Sequence, residues 1–152
     1  MNILSNVRTL DNLDLHLLVP NLTLLMILMI SSAIVIMLAC PVLLFMAGQR
    51  YLKKPEPMPN LERGFRTHFG MGSKAAWDYT QQLAGKLFTR LAVVLEALSL
   101  LSLLLFIGRN ASQILGLVML CMVVQAVTVC GCAVLIVLLT TVNYDGEGRL
   151  RK

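Results

Sequence analysis

ASQILGLVMLCMVVQAVTVCGCAVLIVLLTTV, Ala111 to Val142, is an apolar run without a single charged side chain. A helix rises about 1.5 Å per residue, so about 20 residues cross the hydrocarbon of a bilayer, and this run is longer than that. Backbone amides in hydrocarbon find no water and must bond within their own segment, which makes such a run a helix. Two blocks of the same kind precede it. Leu22 to Ala47 carries no charge, and Leu87 to Ile107 holds only Arg90, near its start, and Glu96. With 57% hydrophobic and 14% charged residues among 152, the composition is not that of a soluble domain. The chain therefore reads as an all-α integral membrane protein. It forms a single domain over 1–152, with transmembrane helices at 22–47, 87–107 and 111–142.

Outward from the spans, charge sets the expected orientation. Arg50, Lys53, Lys54, Arg63, Arg66, Lys74, Lys86 and Arg90 stand between the first two blocks, opposed by Glu56, Glu62 and Asp78. The tail adds Arg149, Arg151 and Lys152, whereas Arg8 is outweighed by Asp11 and Asp14, and Arg109 is alone in the second turn. Lys and Arg favour the cytoplasmic side. The central segment 51–86 and the C-terminus are thus expected inside, and the N-terminus and the Gly108–Gln113 turn outside. The net charge of +5 follows from this topology and from contact with membrane lipids. No nucleic-acid partner is expected.

Residues 1–16 mix leucines with Asn and Asp, as a short helix in the outer interface would. The first block reads as a span and not as a signal peptide, because its approach is acidic and the block is too long. Pro41 removes a backbone donor and predicts a kink. Pro55, Pro57 and Pro59 hold the chain extended as it leaves the membrane. Gly70-Met71-Gly72 reads as a turn, and Ser73 as the N-cap of a helix starting at Lys74. Ala76, Trp77, Thr80, Leu83, Ala84 and Leu87 recur at helical spacing. This short amphipathic helix leads directly into the second span. Trp77 and Tyr79 suit the headgroup region. Gly85 lets the helix bend or another backbone approach closely. The tail, 143–152, contains Gly146 and Gly148 and reads as flexible.

Chemical motifs are scarce. Cys40, Cys121, Cys130 and Cys132 all sit in apolar blocks, without the spacing or company of a metal site or a disulfide framework. His16 and His68 stand alone, and no nucleotide-binding, metalloprotease or nucleophile-elbow pattern occurs. Neither an enzyme nor a cofactor is expected. Glu96 is an acid deep in a span, where such residues face a protein interior or a watery cavity. Gln125 in the third span is its expected hydrogen-bond partner. This intramembrane pair supports one reading of the function, a small oligomeric transporter or channel. In the loop, the guanidinium of Arg66 suits a bidentate clamp on a phosphate or carboxylate. Glu62, Asp78 and Glu96 are the internal candidates for it. A second reading is an accessory membrane subunit that docks a cytoplasmic partner on the basic loop.

The loop residues carry a resemblance. Lys53-Lys54-Pro55, then Asn60, then Gly64-Phe65-Arg66-Thr67, Met71, Trp77-Asp78-Tyr79 and Gly85-Lys86-Leu87-Phe88 resemble the central loop of the SdpI family of bacterial membrane proteins, which includes the YfhL-like members. Gly70 stands where the family often has Ser, Ser73 where it has a capping Asn, and Ala75 where it has an acid. The resemblance implies a short, three-span member with a role in immunity, protecting a bacterium against a secreted antimicrobial peptide. It implies Asn60, Gly64, Phe65, Arg66, Thr67, Trp77, Gly85 and Lys86 as the motif residues. A hydrophobic toxin peptide, a sequestered cytoplasmic repressor and a second copy of the chain are the partners it brings into view. The implied location is the bacterial plasma membrane.

Overall fold

A computed structural model describes residues 15–53 and 64–151, with side chains from residue 22 onward. It consists of three long helices: α1 (Leu15–Lys53), α2 (Lys74–Leu103) and α3 (Ala111–Asn143). All three are long and apolar enough to span a bilayer, as the sequence predicts. Most of the interfacial segment expected at 1–16, the proline lead-out and Asn60 fall outside the described residues.

α1 is 39 residues long. At about 1.5 Å per residue it measures roughly 58 Å, almost twice the ~30 Å of bilayer hydrocarbon. Its C-terminal turn carries Arg50 and Lys53, cations that complement the negative end of the helix dipole. α2 starts at Lys74 under a Ser73 cap, whose side chain accepts from the Ala76 N–H at 3.2 Å. The amphipathic segment is therefore the first turns of α2 itself, continuous with the second span. A 3₁₀ turn, Leu104–Phe106, ends it, and Gly108 (φ +72°) reverses the chain. At the start of α3, the Asn110 N–H donates to Gln113 Oε1 at 3.3 Å.

α2 is the central helix. Of its most apolar window 28% is buried, against 11% in α1 and in α3. It packs chiefly along α1, while α3 touches both. One face of α2, from Trp77 through Thr80, Ala84, Phe88, Ala92 and Leu95 to Ser99, is buried at helical spacing. The large side chains left outside, such as Leu43, Val93 and Val127, suit lipid.

Two close approaches fix the bundle. Gly85 lets the α1 backbone come near, one of the two roles its position allowed. A Cβ there would lie 2.8 Å from Leu52 Cγ and 3.1 Å from the Gly48 carbonyl oxygen. On the opposite side, a Cβ on Gly48 would lie 2.8 Å from the Thr89 backbone nitrogen. Small residues are what allow helices in lipid to pack by contact alone.

The second tie is polar. α1 runs unbroken through Pro41. Proline has no N–H, so the Met37 carbonyl one turn earlier loses its helical partner, a cost of several kcal/mol in hydrocarbon. Gln125 of α3 supplies the missing donor, its Nε2 reaching the Met37 carbonyl at 3.1 Å. The same nitrogen donates to Ser99 Oγ of α2 at 2.7 Å, and Ser99 donates in turn to the Leu95 carbonyl. One buried amide thus joins all three helices.

Candidate functional site

The loop between α1 and α2 is a folded cap built on the first turns of α2. Gly64 has φ +99°, a conformation that L side chains rarely adopt, and a Cβ there would sit 2.7 Å from the Trp77 ring. Trp77 is fully buried beneath it. Gln81, one turn further along the same face, holds the next residue at both ends. Its Oε1 accepts from the Phe65 N–H at 3.0 Å and its Nε2 donates to the Phe65 carbonyl at 2.9 Å. The Phe65 ring meets Phe88 edge-on at 5.6 Å, and Phe88 also meets Tyr51 of α1 at 6.3 Å. Phe65 therefore packs against the cluster of Ala84, Phe88 and Ile136, which draws on α2 and α3.

Thr67 closes the turn predicted at 70–72. Its hydroxyl accepts from the Gly70 N–H at 2.8 Å and its carbonyl from the Met71 N–H at 3.1 Å. A Cβ on Gly70 would strike Thr67 Oγ1 and Thr80 Oγ1, at 2.5 and 2.6 Å. Below the turn, the hydroxyls of Thr80 and Thr140 meet at 3.3 Å, and each also reaches its own helix carbonyl, Ala76 or Ile136, at 2.8 Å. Two protons serve three possible bonds, so the pair links α2 to α3 in either donor sense.

The tail differs from the flexible segment expected of Gly146 and Gly148. Residues 144–150 fold back in a tight turn, with an antiparallel bridge between Tyr144 and Leu150. Asp145 Oδ1 accepts from the Glu147 and Arg149 N–H groups at 3.0 and 2.7 Å, the local bonding that Asp favours in turns. Gly148 is buried at φ +74°, its backbone against Gly72 and Ser73. Ser73 Oγ donates to the Gly148 carbonyl at 2.7 Å, so one hydroxyl caps α2 and holds the tail. Tyr144 is buried against Tyr79, whose hydroxyl accepts from Asn143 Nδ2 at 3.0 Å. The two glycines allow a turn.

Of the motif residues, Gly64, Phe65, Thr67 and Trp77 come together in this cap, and Gly85 sits at the α1–α2 approach beside it. Arg66 and Lys86 are exposed. Arg66 makes no ion pair with Asp78 or Glu96; among the described residues the ion pair is Arg149 with Glu147, at 2.8 Å on the surface. Glu96 and Gln125 are not joined. Gln125 spends its Nε2 donors on Met37 and Ser99, and Glu96 Oε2 is buried with no hydrogen-bond partner among the described residues.

Reading the sequence missed Gln81, Thr140, Gly48 and the fold of the tail. Gln81 had a signal, a large amide on the buried face one turn after Trp77. Thr140 had none, since a threonine in a span commonly bonds its own helix.

A model of the SdpI/YfhL protein family matches residues 59–142, more than half of the chain, from before the cap to the end of α3. No curated protein and no solved structure matches.

Proposed function

Because the chain belongs to the SdpI/YfhL family, we propose that this multi-pass membrane protein is an immunity protein, protecting a bacterium against a secreted, hydrophobic antimicrobial peptide. The family match carries the reading, since it covers the cap, α2 and α3 together. The cap and tail face the cytoplasm, because Lys and Arg gather there. The cap works as a rigid mount. Its buried residues fix a surface on which Arg66 and Lys86 stand free, and the Arg66 guanidinium takes a carboxylate of the bound peptide or a lipid phosphate beside it. Exposure of Arg66, Lys74 and Lys86 on one short stretch also favours a second reading, docking of an acidic cytoplasmic partner such as a repressor.

A killing assay tests the proposal. Wild type and Arg66→Ala are expressed at equal membrane levels in a peptide-sensitive bacterium, which is challenged with the family's toxin. Protection by wild type and its loss in the variant is the expected result. Protection by both removes Arg66 from the contact and keeps immunity. No protection by either overturns the proposal, and co-purification of a soluble protein released by the loop variant then favours docking.

A further inference from the structure

Between α1 and α2, at mid-bundle, lies a cavity of about 340 Å³. Pro41 and Phe45 line it from α1, and Ala92, Glu96, Ala97 and Leu100 from α2. Its lining residues are apolar apart from Glu96, whose Oε2 is buried without a hydrogen-bond partner among the described residues. Leaving a carboxyl oxygen unpaired in hydrocarbon is expensive. The surrounding residues do not relieve it. Gln125, the amide nearest in kind, is committed to Met37 and Ser99. Pro41 has no N–H to give. Arg90 lies about 9 Å back along α2 and on another side of the helix, at six residues' remove.

We propose that this cavity is a binding site for a small lipophilic amine, whose alkyl body fills the apolar groove and whose ammonium meets Glu96. The amine brings the two things the groove lacks, a donor and a countercharge. A buried acid rewards both together. The volume falls at the low end of the ~300–1,000 Å³ of small-molecule pockets and is too narrow for a helix of about 10 Å diameter. The site stands on its own geometry and does not depend on the immunity reading.

The test uses the purified full-length chain in phosphatidylcholine vesicles and a short-chain alkylamine bearing a photoactivatable diazirine. Labelled residues are mapped by mass spectrometry, with the unlabelled amine, the matching alcohol and the matching carboxylate as competitors. The expected result is labelling confined to 41–45 and 92–100, displaced by the amine at least about thirtyfold better than by the other two, as loss of a buried charge partner implies. Glu96→Gln removes the charge and Ala97→Leu fills the groove from an exposed position; both abolish the labelling while the thermal unfolding of each variant stays at the wild-type value. Labelling spread over the lipid face of α3 as well, equal displacement by the alcohol, or unchanged labelling of Glu96→Gln overturns the proposal. An unlabelled oligomer that Glu96→Gln dissociates also overturns it, and assigns the groove to a second copy of the chain.

Discussion

The cap and the mid-bundle use polar groups in opposite ways. In the cap, Thr67, Ser73, Gln81 and Thr80 are each bonded, mostly to backbone, and Ala76 and Trp77 between them are fully buried. At mid-bundle Gln125 satisfies a carbonyl that a proline has freed, yet Glu96, one span away, keeps an oxygen with no partner among the described residues beside a cavity. A well-paired polar group makes a scaffold, and an unpaired one makes a demand on something outside the chain. The cap is therefore the part that should break when altered, and the Glu96 groove the part that should change what the protein binds while leaving it folded.

The sharpest way to break the comparison is Trp77→Ala. Trp77 is fully buried under Gly64. Truncating a buried Trp costs about 3–5 kcal/mol. The variant is expected to lose its cap and most of its thermal stability in detergent, whereas Glu96→Gln melts like wild type. If the two variants melt alike, the cap is not the structural half of the molecule.

A second test separates the two glycines of the α1–α2 approach. A methyl on Gly48 meets the Thr89 backbone nitrogen, which cannot step aside. A methyl on Gly85 meets the Leu52 side chain first, which can rotate. Overpacking costs about 1–3 kcal/mol, so Gly48→Ala should fall at the upper end and Gly85→Ala at the lower. Equal losses in a denaturation series would show that the contact yields as a whole.

These pairs also show what a sequence can and cannot declare. The three spans, the Ser73 cap, the turn at 70–72 and the close approach at Gly85 rest on local signals: run length, residue type and spacing. The Gln125 contact depends on a consequence of Pro41 that only a neighbouring helix can answer, 88 residues away in sequence. Gln125 was matched to Glu96 because both are polar in apolar runs; the structure pairs it with the backbone group that lost its own donor. The tail misled in the same way. Gly146 and Gly148 permit many conformations, and what selects one is Ser73, 75 residues earlier. Local chemistry was legible, and long-range pairing was not.

That pairing can be measured. Gln125→Leu leaves the Met37 carbonyl without a donor, and Pro41→Ala returns an N–H to it. The cost of Gln125→Leu should therefore fall in the Pro41→Ala background, while the Ser99 bond cancels in the cycle. Hydrogen bonds between helices in lipid couple by about 0.6 kcal/mol on average, and up to ~1.7. A coupling indistinguishable from zero would mean that Gln125 does not serve the proline.

The smallest effect expected is at the tail, and it bears on whether the cap ends at Ser73 or includes residues 144–150. Asp145→Ala removes the oxygen that accepts from Glu147 and Arg149. As a surface change it should alter global stability by less than about 0.5 kcal/mol. Its reach is the informative quantity. Ser73 Oγ is shared between the Gly148 carbonyl and the Ala76 N–H, and the Ser73 carbonyl accepts from the Trp77 N–H at 2.9 Å. If the tail steadies the α2 cap, hydrogen exchange should quicken at Ala76 and Trp77 as well as at Glu147 and Arg149. Faster exchange confined to the tail would make it a passenger on a cap that holds itself. Only in the first case does the C-terminus, with Arg149 and Arg151 exposed, belong to the same rigid surface as Arg66.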